Sequence, residues 1–515
     1  MFESTNAKMK KNGDNVEVHM QDGKTFTIMK EFEFDHKKMT QGVIVQNEQG
    51  EMKVFVKGSA ESIKARCKSS SVPSDFDSAV KESAESGIYQ ISLAMKNISK
   101  DDYKNYEKNQ ELSRNDVESE LEFLGFVNFV NEVKEESMDV LKQLREGDIK
   151  TMMLTGDNVL TGIKVASECG MIESGTAVIL GEKILPNGEI DWYDINLKKS
   201  VQLPSEPRDL SQSDIALAVT GKVWQYLIYN NQSYALSICD YIRIYGRCTP
   251  QDKVNVVSYF IHKGKITLMC GDGGNDCGAL KTAHVGIALS EAEASMVSPF
   301  TSLEKSITSV VDVLKEGRCA LSSAFASYKY MLMYGQIATV NQIAAGYFYT
   351  TFSEWSWVFL DGVWLIALAF SLPLATPSKK LAPSRPTSSL FGWQTLSSYL
   401  GVLAFNVLFV AIALNVLFRQ EWFLCRSKDS NTVEDVYQYP DNYETEVIFI
   451  VSGFQIIISA MVFNFGYAHR AMWIKNSFFV VASLVFVFIH LYIIMVPGYL
   501  SCVFRVNCDN EVSAL

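Results

Sequence analysis

Five long apolar stretches in the second part of this chain set the strongest limit on its fold. They run at about 329–350, 356–375, 396–418, 446–466 and 478–497. Each is long enough to cross ~30 Å of hydrocarbon at ~1.5 Å per residue. LSSYLGVLAFNVLFVAIALNVLF (396–418) has no charged residue, and SFFVVASLVFVFIHLYIIMVPG (477–498) holds only His490. One such stretch reads also as a buried core helix, but five in series read as membrane spans. Residues 318–498 are therefore expected to form a five-helix transmembrane region.

The connectors orient it. TPSKKLAPSRPTSS (376–389) carries Lys379, Lys380 and Arg385 with no acid, and the connector with His469, Arg470 and Lys475 is also basic. Both are expected on the cytosolic side. The first 320 residues, which hold most of the Lys, Glu, Asp and Ser, are then cytosolic. An odd number of spans leaves 499–515 as a non-cytosolic tail. The start, MFESTNAKMKKNGD, is polar, so no signal or transit peptide is expected there.

A length of 515 residues implies several domains. The net charge of −11 argues against a nucleic-acid partner. The ten cysteines show no C-x-x-C spacing. Cys67, Cys169, Cys248, Cys270 and Cys277 are expected to be reduced thiols. Cys425, Cys502 and Cys508 fall on the non-cytosolic side, where a disulfide is permitted.

The soluble part divides in two. Residues 121–317 alternate strand-like runs with amphipathic helical patterns. LEFLGFVNFV (121–130), IKTMMLTGD (149–157), KITLMCGDGGND (265–276) and AHVGIAL (283–289) read as strands. ESMDVLKQLREGD (136–148) reads as a helix with Met138, Leu141 and Leu144 on one face, and 158–171 as a helix closed by Gly170. This order predicts a parallel α/β sheet with helices on both faces. Its ligands belong at the carboxyl ends of the strands, where TGD and GDGGND fall. Residues 1–120 read as a separate α+β domain, built from GKTFTIMKEFEF, TQGVIVQNEQG and EMKVFVKGS with short helices.

Three loops carry chemistry. In GDGGND, Asp272 and Asp276 suit Mg²⁺, and the glycines let backbone approach a ligand. The same string reads equally as an ordinary Gly-Asn-Asp turn. In LTGDN, Thr155, Gly156 and Asp157 end a strand just before a helix whose free amides suit phosphate. An Asp or Asn N-cap is the plainer reading. In GRCTPQDKVNVV, Lys253 follows a Pro at a helix start and is placed to reach a phosphoryl group, although a lone surface Lys is usually only solvated.

Order and spacing of these loops are similar to the haloacid-dehalogenase-type phosphotransfer domain of P-type ATPases. CGDGGNDCGALKTAHVGIALSEAEASMVSPFTS (270–302) resembles the fifth class of these pumps, subgroup B, which transport polyamines in endosomes and lysosomes. VFVKGSAESI (54–63) resembles the family's nucleotide-domain KGSPE motif. The resemblance covers nearly the whole chain. It implies that 1–120 is a partial nucleotide-binding domain and 121–317 part of the phosphorylation domain. It implies ATP and Mg²⁺ as cofactors, a polyamine or related cation as substrate, membrane lipid around the spans, and a late endosomal or lysosomal membrane. By the same resemblance Lys57 and Gly58 line the ATP site, and Phe32 or Phe34 stacks on adenine. Thr155, Gly156 and Asp157 hold phosphates, and Lys253 offsets phosphoryl charge. Asp272 and Asp276 serve Mg²⁺, with Asn275 in support.

Departures from the family pattern matter. The phosphorylated Asp of DKTGT and the TGES loop, which precede these motifs in the family, are absent from the chain. A missing N-terminal portion of the same pump is the protein partner this implies. Tyr89 in GIYQISLA stands where an Arg is expected to contact ATP phosphates, which implies weaker ATP binding. Gly274 replaces Ala, and His284 stands where Asp is common.

Within the membrane, Glu354 and Asp361 in SEWSWVFLDGVW are seven residues apart and are expected on one helix face, ~10 Å apart along the axis. Intramembrane carboxylates are costly and tend to be functional. Two of them match two amines of a linear polycation, with Trp355, Trp357 and Tyr334 near enough for cation–π contacts. Glu354 reads equally as an interfacial residue. Asn341 and Gln342 read equally as path-lining or helix-packing amides. Three further readings stand beside a polyamine pump: a non-catalytic nucleotide-binding membrane protein or pump remnant, a membrane-anchored dehalogenase-type phosphatase, and a subgroup-A transmembrane peptide translocase.

Overall fold

The computed structural model describes residues 8–12, 15–20, 23–35, 38–100, 102–103, 114–130, 132–203, 215–272, 274–289, 298–348, 350–423, 442–466, 468–504 and 506. The chain divides into two compact units. One comprises Met1–Lys142 and Thr151–Ile307, the other Gln143–Lys150 and Thr308–Leu515.

The first unit begins with seven strands in sequence order: β1 (Lys8–Asn12), β2 (Asn15–His19), β3 (Thr25–Asp35), β4 (Thr40–Asn47), β5 (Met52–Gly58), β6 (Tyr89–Ile98) and β7 (Glu122–Phe129). Every neighbour is antiparallel. The period-2 pattern of β5 explains the sheet's two faces. Met52, Val54 and Val56 are buried while Lys57 points out. Two helices, α1 (Ala60–Lys64) and α2 (Phe76–Glu85), lie between β5 and β6. Ser59 caps α1 by accepting a hydrogen bond from the Ser62 amide.

The strand expected at 121–130 is present, but its partner differs from expectation. β7 pairs antiparallel with β6, from Tyr89↔Phe129 to Met95↔Glu122, and closes the first sheet instead of opening the second. It is not buried on both faces as a central parallel strand would be: Leu124 is 51 % exposed.

The second sheet has the order β11–β10–β9–β12–β13–β8, with β8 (Met153–Leu154), β9 (Ala177–Ile184), β10 (Ile190–Asp194), β11 (Lys199–Val201), β12 (Ile215–Thr220) and β13 (Ile242–Gly246). β9, β12, β13 and β8 are parallel, as expected. β10 and β11 add an antiparallel extension, so the sheet is mixed. Its cause is the LPNGE turn, where Gly188 takes φ +82°. Alternate residues of β12 feed two cores. Leu217 and Val219 pack with Trp224, Tyr245 and Phe260, while Ala216 and Ala218 pack with Ile163 and Ala166 of α3 (Val159–Glu168). Helices therefore cover both faces, as the βα alternation requires.

Three more parallel strands, β14 (Leu268–Gly271), β15 (Val285–Ala288) and β16 (Phe300–Thr301), form a separate sheet. The expected single parallel sheet is thus two. β8 ends one and β14 ends the other. Between β13 and β14 runs α4 (Pro250–His262), and α5 (Cys277–Thr282) follows β14. The helix expected at 136–148 forms at Glu135–Glu146, with Leu141 and Leu144 buried but Met138 58 % exposed.

The second unit is helical. Four helices are long and apolar enough to cross a membrane: Glu354–Leu374, Trp393–Phe418, Tyr443–Phe463 and Ser477–Met495. These match four of the five expected spans. The remaining stretch, 329–350, falls in a 40-residue helix, α6 (Thr308–Tyr347), which is not among the four. Its second half mixes Lys329, amides and glycines with the apolar residues. Tyr330, Met333, Ile337 and Ala345 of α6 nevertheless share one core with Trp364, Ile448, Phe449, Phe479 and Phe486. Gly453 permits the tightest packing there, since a Cβ would run into the rings of His490 and Trp364. Seven described cysteines are free, and Cys502 is disulfide-bonded. Cys425 and Cys508 lie outside the described residues.

Candidate functional site

The TGD loop leaves the carboxyl end of β8. Thr155 extends the parallel pairing, its amide donating to Tyr245 O at 2.9 Å. The Asp157 amide donates to Thr155 Oγ1 at 3.1 Å, and Thr155 Oγ1 donates to Asp157 Oδ2 at 3.2 Å. Asn158 then caps α3, accepting from the Leu160 amide. Two main-chain bonds tie this loop to the one after β13. The Cys248 amide donates to Thr155 O at 3.0 Å, and the Arg247 amide to Asp157 O at 2.8 Å. Gly246 makes that approach possible, because a Cβ there would stand 2.5 Å from Val159 Cα.

The Thr-Pro-Gln-Asp string starts α4 with a capping box. The Asp252 amide donates to Thr249 Oγ1 at 3.2 Å, and the Thr249 amide donates to Asp252 Oδ2 at 2.8 Å. Lys253 therefore stands in the first turn of α4. Its Nζ donates to Asp276 Oδ1 at 2.6 Å, with each side chain only 11 % exposed. Gly271 leaves room for Asp276, since a Cβ would meet Asp276 Oδ2 at 2.6 Å. The structure thus brings the TGD, TPQDK and GDGGND loops together.

Asp272 and Asn275 are exposed on the same loop, whereas Asp276 is buried and engaged by Lys253. Among the described residues no group of three His, Cys, Asp or Glu converges. An exposed Asp272 carboxylate fits a cation that keeps most of its waters and shares phosphate oxygens, as Mg²⁺ does. Burial, reinforced by Asp252, pushes Cys248 up to about 12, and burial with Asp276 and Asp272 pushes Cys270 up to about 11. Both stay protonated at neutral pH.

The nucleotide-domain residues lie on the first sheet. Lys57 is exposed on β5, opposite Gln41 of β4. Gly58 is buried where a Cβ would stand 2.5 Å from Met39 O. Phe32 is opposite Gly42, which is opposite Val56, so its ring belongs to the buried face. Lys30 and Arg114 flank that ring at 5.7 and 5.8 Å. Arg114 also pairs with buried Glu118 at 2.6 Å. The register with β4 is irregular between Phe32 and Asp35, and Phe34 is 46 % exposed. Phe34 is thus the more exposed of the two phenylalanines.

Tyr89, at the start of β6, lies within electrostatic reach of Asp157 in the TGD loop. Its hydroxyl is held above its ordinary value by burial and by Asp157, with Arg247 acting the other way. Arg247 is a residue that sequence reasoning missed. It sits at φ +52°, and its Nη2 donates to Glu61 Oε1 at 2.7 Å and Oε2 at 3.0 Å. The available signal was its place inside GRCTPQDK, two residues before the cap of α4. His284 accepts a hydrogen bond at Nδ1 from the Thr267 amide, and Gly274 is exposed.

In the second unit, Asn341 is buried and donates from Nδ2 to Ser452 Oγ at 2.7 Å, as a helix-packing amide does. Gln342 is exposed and Tyr334 half-buried. Glu354 opens the Glu354–Leu374 helix in the turn capped by Ser353, and is exposed. Asp361, also exposed, lies in a π-helical stretch, Val358–Leu365. The wider π turn breaks the 3.6-residue spacing on which a shared face with Glu354 was expected.

Comparison with known proteins adds a second line. Residues 6–136 match the family described as P-type ATPase, cytoplasmic domain N. The chain is 30 % identical over 480 residues to the human Polyamine-transporting ATPase 13A3, covering 86 % of this chain and 39 % of that protein. It is 32 % identical over 472 residues to the Vacuolar cation-transporting ATPase YPK9 of Saccharomyces cerevisiae, covering 88 % and 32 %. It is 28 % identical over 524 residues to the Probable cation-transporting ATPase 13A4 of Gallus gallus, covering 93 % and 42 %. The chain spans about two fifths or less of the length of these relatives.

Proposed function

We propose that this chain, which belongs to the P-type ATPases, supplies the nucleotide lobe, part of the phosphotransfer lobe and five membrane helices of a pump for polyamines or related organic cations. The observation that carries this reading is the Lys253–Asp276 pair, which joins the TPQDK and GDGGND loops beside a TGD loop held by main-chain bonds. Phosphoryl transfer asks for such positioning and charge compensation more than for covalent chemistry by the protein. Lys57 and Phe34 hold the base end of ATP. Thr155, Asp157 and the free amides at the start of α3 hold the phosphates, and Lys253 offsets their charge. Asp272, with Asn275 and Asp276 in support, would hold Mg²⁺, which would supply charge neutralisation at the phosphate oxygens. β8, β12, β13 and β14 read as parts of a dehalogenase-like fold.

The second half of α6 is the fifth span, packed with the four apolar helices through Tyr330 and Met333. With the soluble unit cytosolic, Cys502 then lies on the far side, and its disulfide supports that orientation. An intracellular membrane of the late endosome or lysosome suits this reading. Asp361, with Glu354 at the helix start, serves the cation.

DKTGT and TGES do not occur in the sequence. Alone, these 515 residues therefore bind nucleotide without accepting its phosphate. The second reading is a non-catalytic nucleotide-binding membrane protein. Both readings require Mg²⁺-dependent nucleotide binding. Calorimetry on the purified chain should detect ADP binding, weakened about tenfold by Lys57→Met through loss of a charge-assisted contact. An absence of ADP binding at any Mg²⁺ concentration overturns the nucleotide reading.

A further inference from the structure

We infer that the Arg247–Glu61 ion pair is a latch between the nucleotide lobe and the phosphate loops, and that nucleotide phosphate competes with Glu61 for Arg247. This rests on the nucleotide reading above. The two residues are 186 positions apart and come from different sheets. Glu61 stands four residues after Lys57, in α1. Arg247 follows β13 directly.

The Arg247 backbone cannot move freely. Its amide donates to Asp157 O at 2.8 Å, and a Cβ on Gly221 would stand 3.0 Å from its carbonyl oxygen. Its left-handed φ of +52° is a conformation that non-glycine residues adopt only when neighbours impose it. The root of the side chain is thus fixed beside the TGD loop, while the guanidinium is held by Glu61. A guanidinium takes carboxylate and phosphate through the same planar donors. Rotation of one side chain therefore exchanges one anion for the other.

The pair is one of several contacts along this seam. Lys164 of α3 packs under Gly87, where a Cβ would meet its Cγ at 3.0 Å. Lys81 of α2 lies 5.3 Å over the Tyr193 ring. Tyr89 lies on the same seam, where its hydroxyl responds to both Asp157 and Arg247. The Arg247 main chain is bonded directly to Asp157 of the TGD loop. Glu61 holds it in competition with nucleotide.

Both side chains are partly exposed, Arg247 30 % and Glu61 59 %, so the latch is weak and reversible. The test is ADP binding by calorimetry on the whole purified chain, in a double-mutant cycle of Glu61→Gln and Arg247→Gln. Glu61→Gln should tighten ADP binding by about three- to fivefold, the range of an exposed ion pair. Arg247→Gln should weaken it by about tenfold through loss of a charge-assisted contact. In the Arg247→Gln background, Glu61→Gln should change affinity less than about twofold. Equal affinities for wild type and Glu61→Gln would overturn the latch while leaving the nucleotide site standing. A gain that persists without Arg247 would also overturn it, assigning the effect to simple removal of negative charge. Failure of both wild type and Glu61→Gln to bind ADP would sink the nucleotide reading and the latch together. Melting curves for each variant establish that it is folded.

Discussion

Asp361→Asn, placed in a complete pump that carries these residues, is expected to reduce spermine-stimulated ATPase activity to the unstimulated level. A carboxylate within a membrane span is costly and persists where it has work to do. Asp361 has no ion-pair partner among the described residues, and it lies in a π-helical stretch. Such stretches are rare and concentrate at functional sites, because the wider turn re-aims side chains and loosens backbone hydrogen bonding. Glu354 differs. It sits in the first turn of its helix, where an acid is favoured by the helix dipole alone. Glu354→Gln should therefore lower stimulation only partially. Undiminished stimulation of Asp361→Asn would remove that residue from the cation path.

The second large effect is on stability. Lys253→Met should destabilise the first unit by about 3–5 kcal/mol, the cost of leaving one charge of a buried pair without its partner. The pair is 2.6 Å long with both side chains 11 % exposed. Replacing both residues, Lys253→Met with Asp276→Leu, should recover most of that loss, since apolar pairs of similar volume substitute well for buried ions. Thermal melting of wild type, single and double variants reads this directly. A single variant as stable as the double would show that Lys253 and Asp276 do not depend on each other. Neither variant should keep tight phosphate binding.

The parts of this account legible in sequence are local. TGD and GDGGND mark strand ends because apolar runs stop there at Gly and Asp. The start of α4 is written in Thr249, Pro250 and Asp252, which form the cap themselves. The four most apolar helices need only length and hydropathy. What sequence did not disclose depends on distant partners. β7 is as apolar as a central strand, and only its pairing with β6 assigns it to the first sheet. The choice between Phe32 and Phe34 needs the irregular register of β3 against β4. Arg247 meets a carboxylate 186 positions away, beyond the reach of any local pattern. The π turn around Asp361 broke a spacing argument that holds only for regular α-helix. The stretch 329–350, expected as a span, lies largely in α6, which is not among the four helices long and apolar enough to cross a membrane.

On the proposed function, these residues hold nucleotide yet contain no DKTGT aspartate to take its phosphate. The direct measurement incubates the purified chain with Mg²⁺ and ATP labelled on the terminal phosphate, quenches in acid, and separates the products on an acidic gel. The account predicts no labelled band at the mass of this chain, even at ATP concentrations that saturate binding. An acid-stable, hydroxylamine-sensitive band would contradict it, because an acyl phosphate would then have formed on an aspartate or glutamate outside any DKTGT motif.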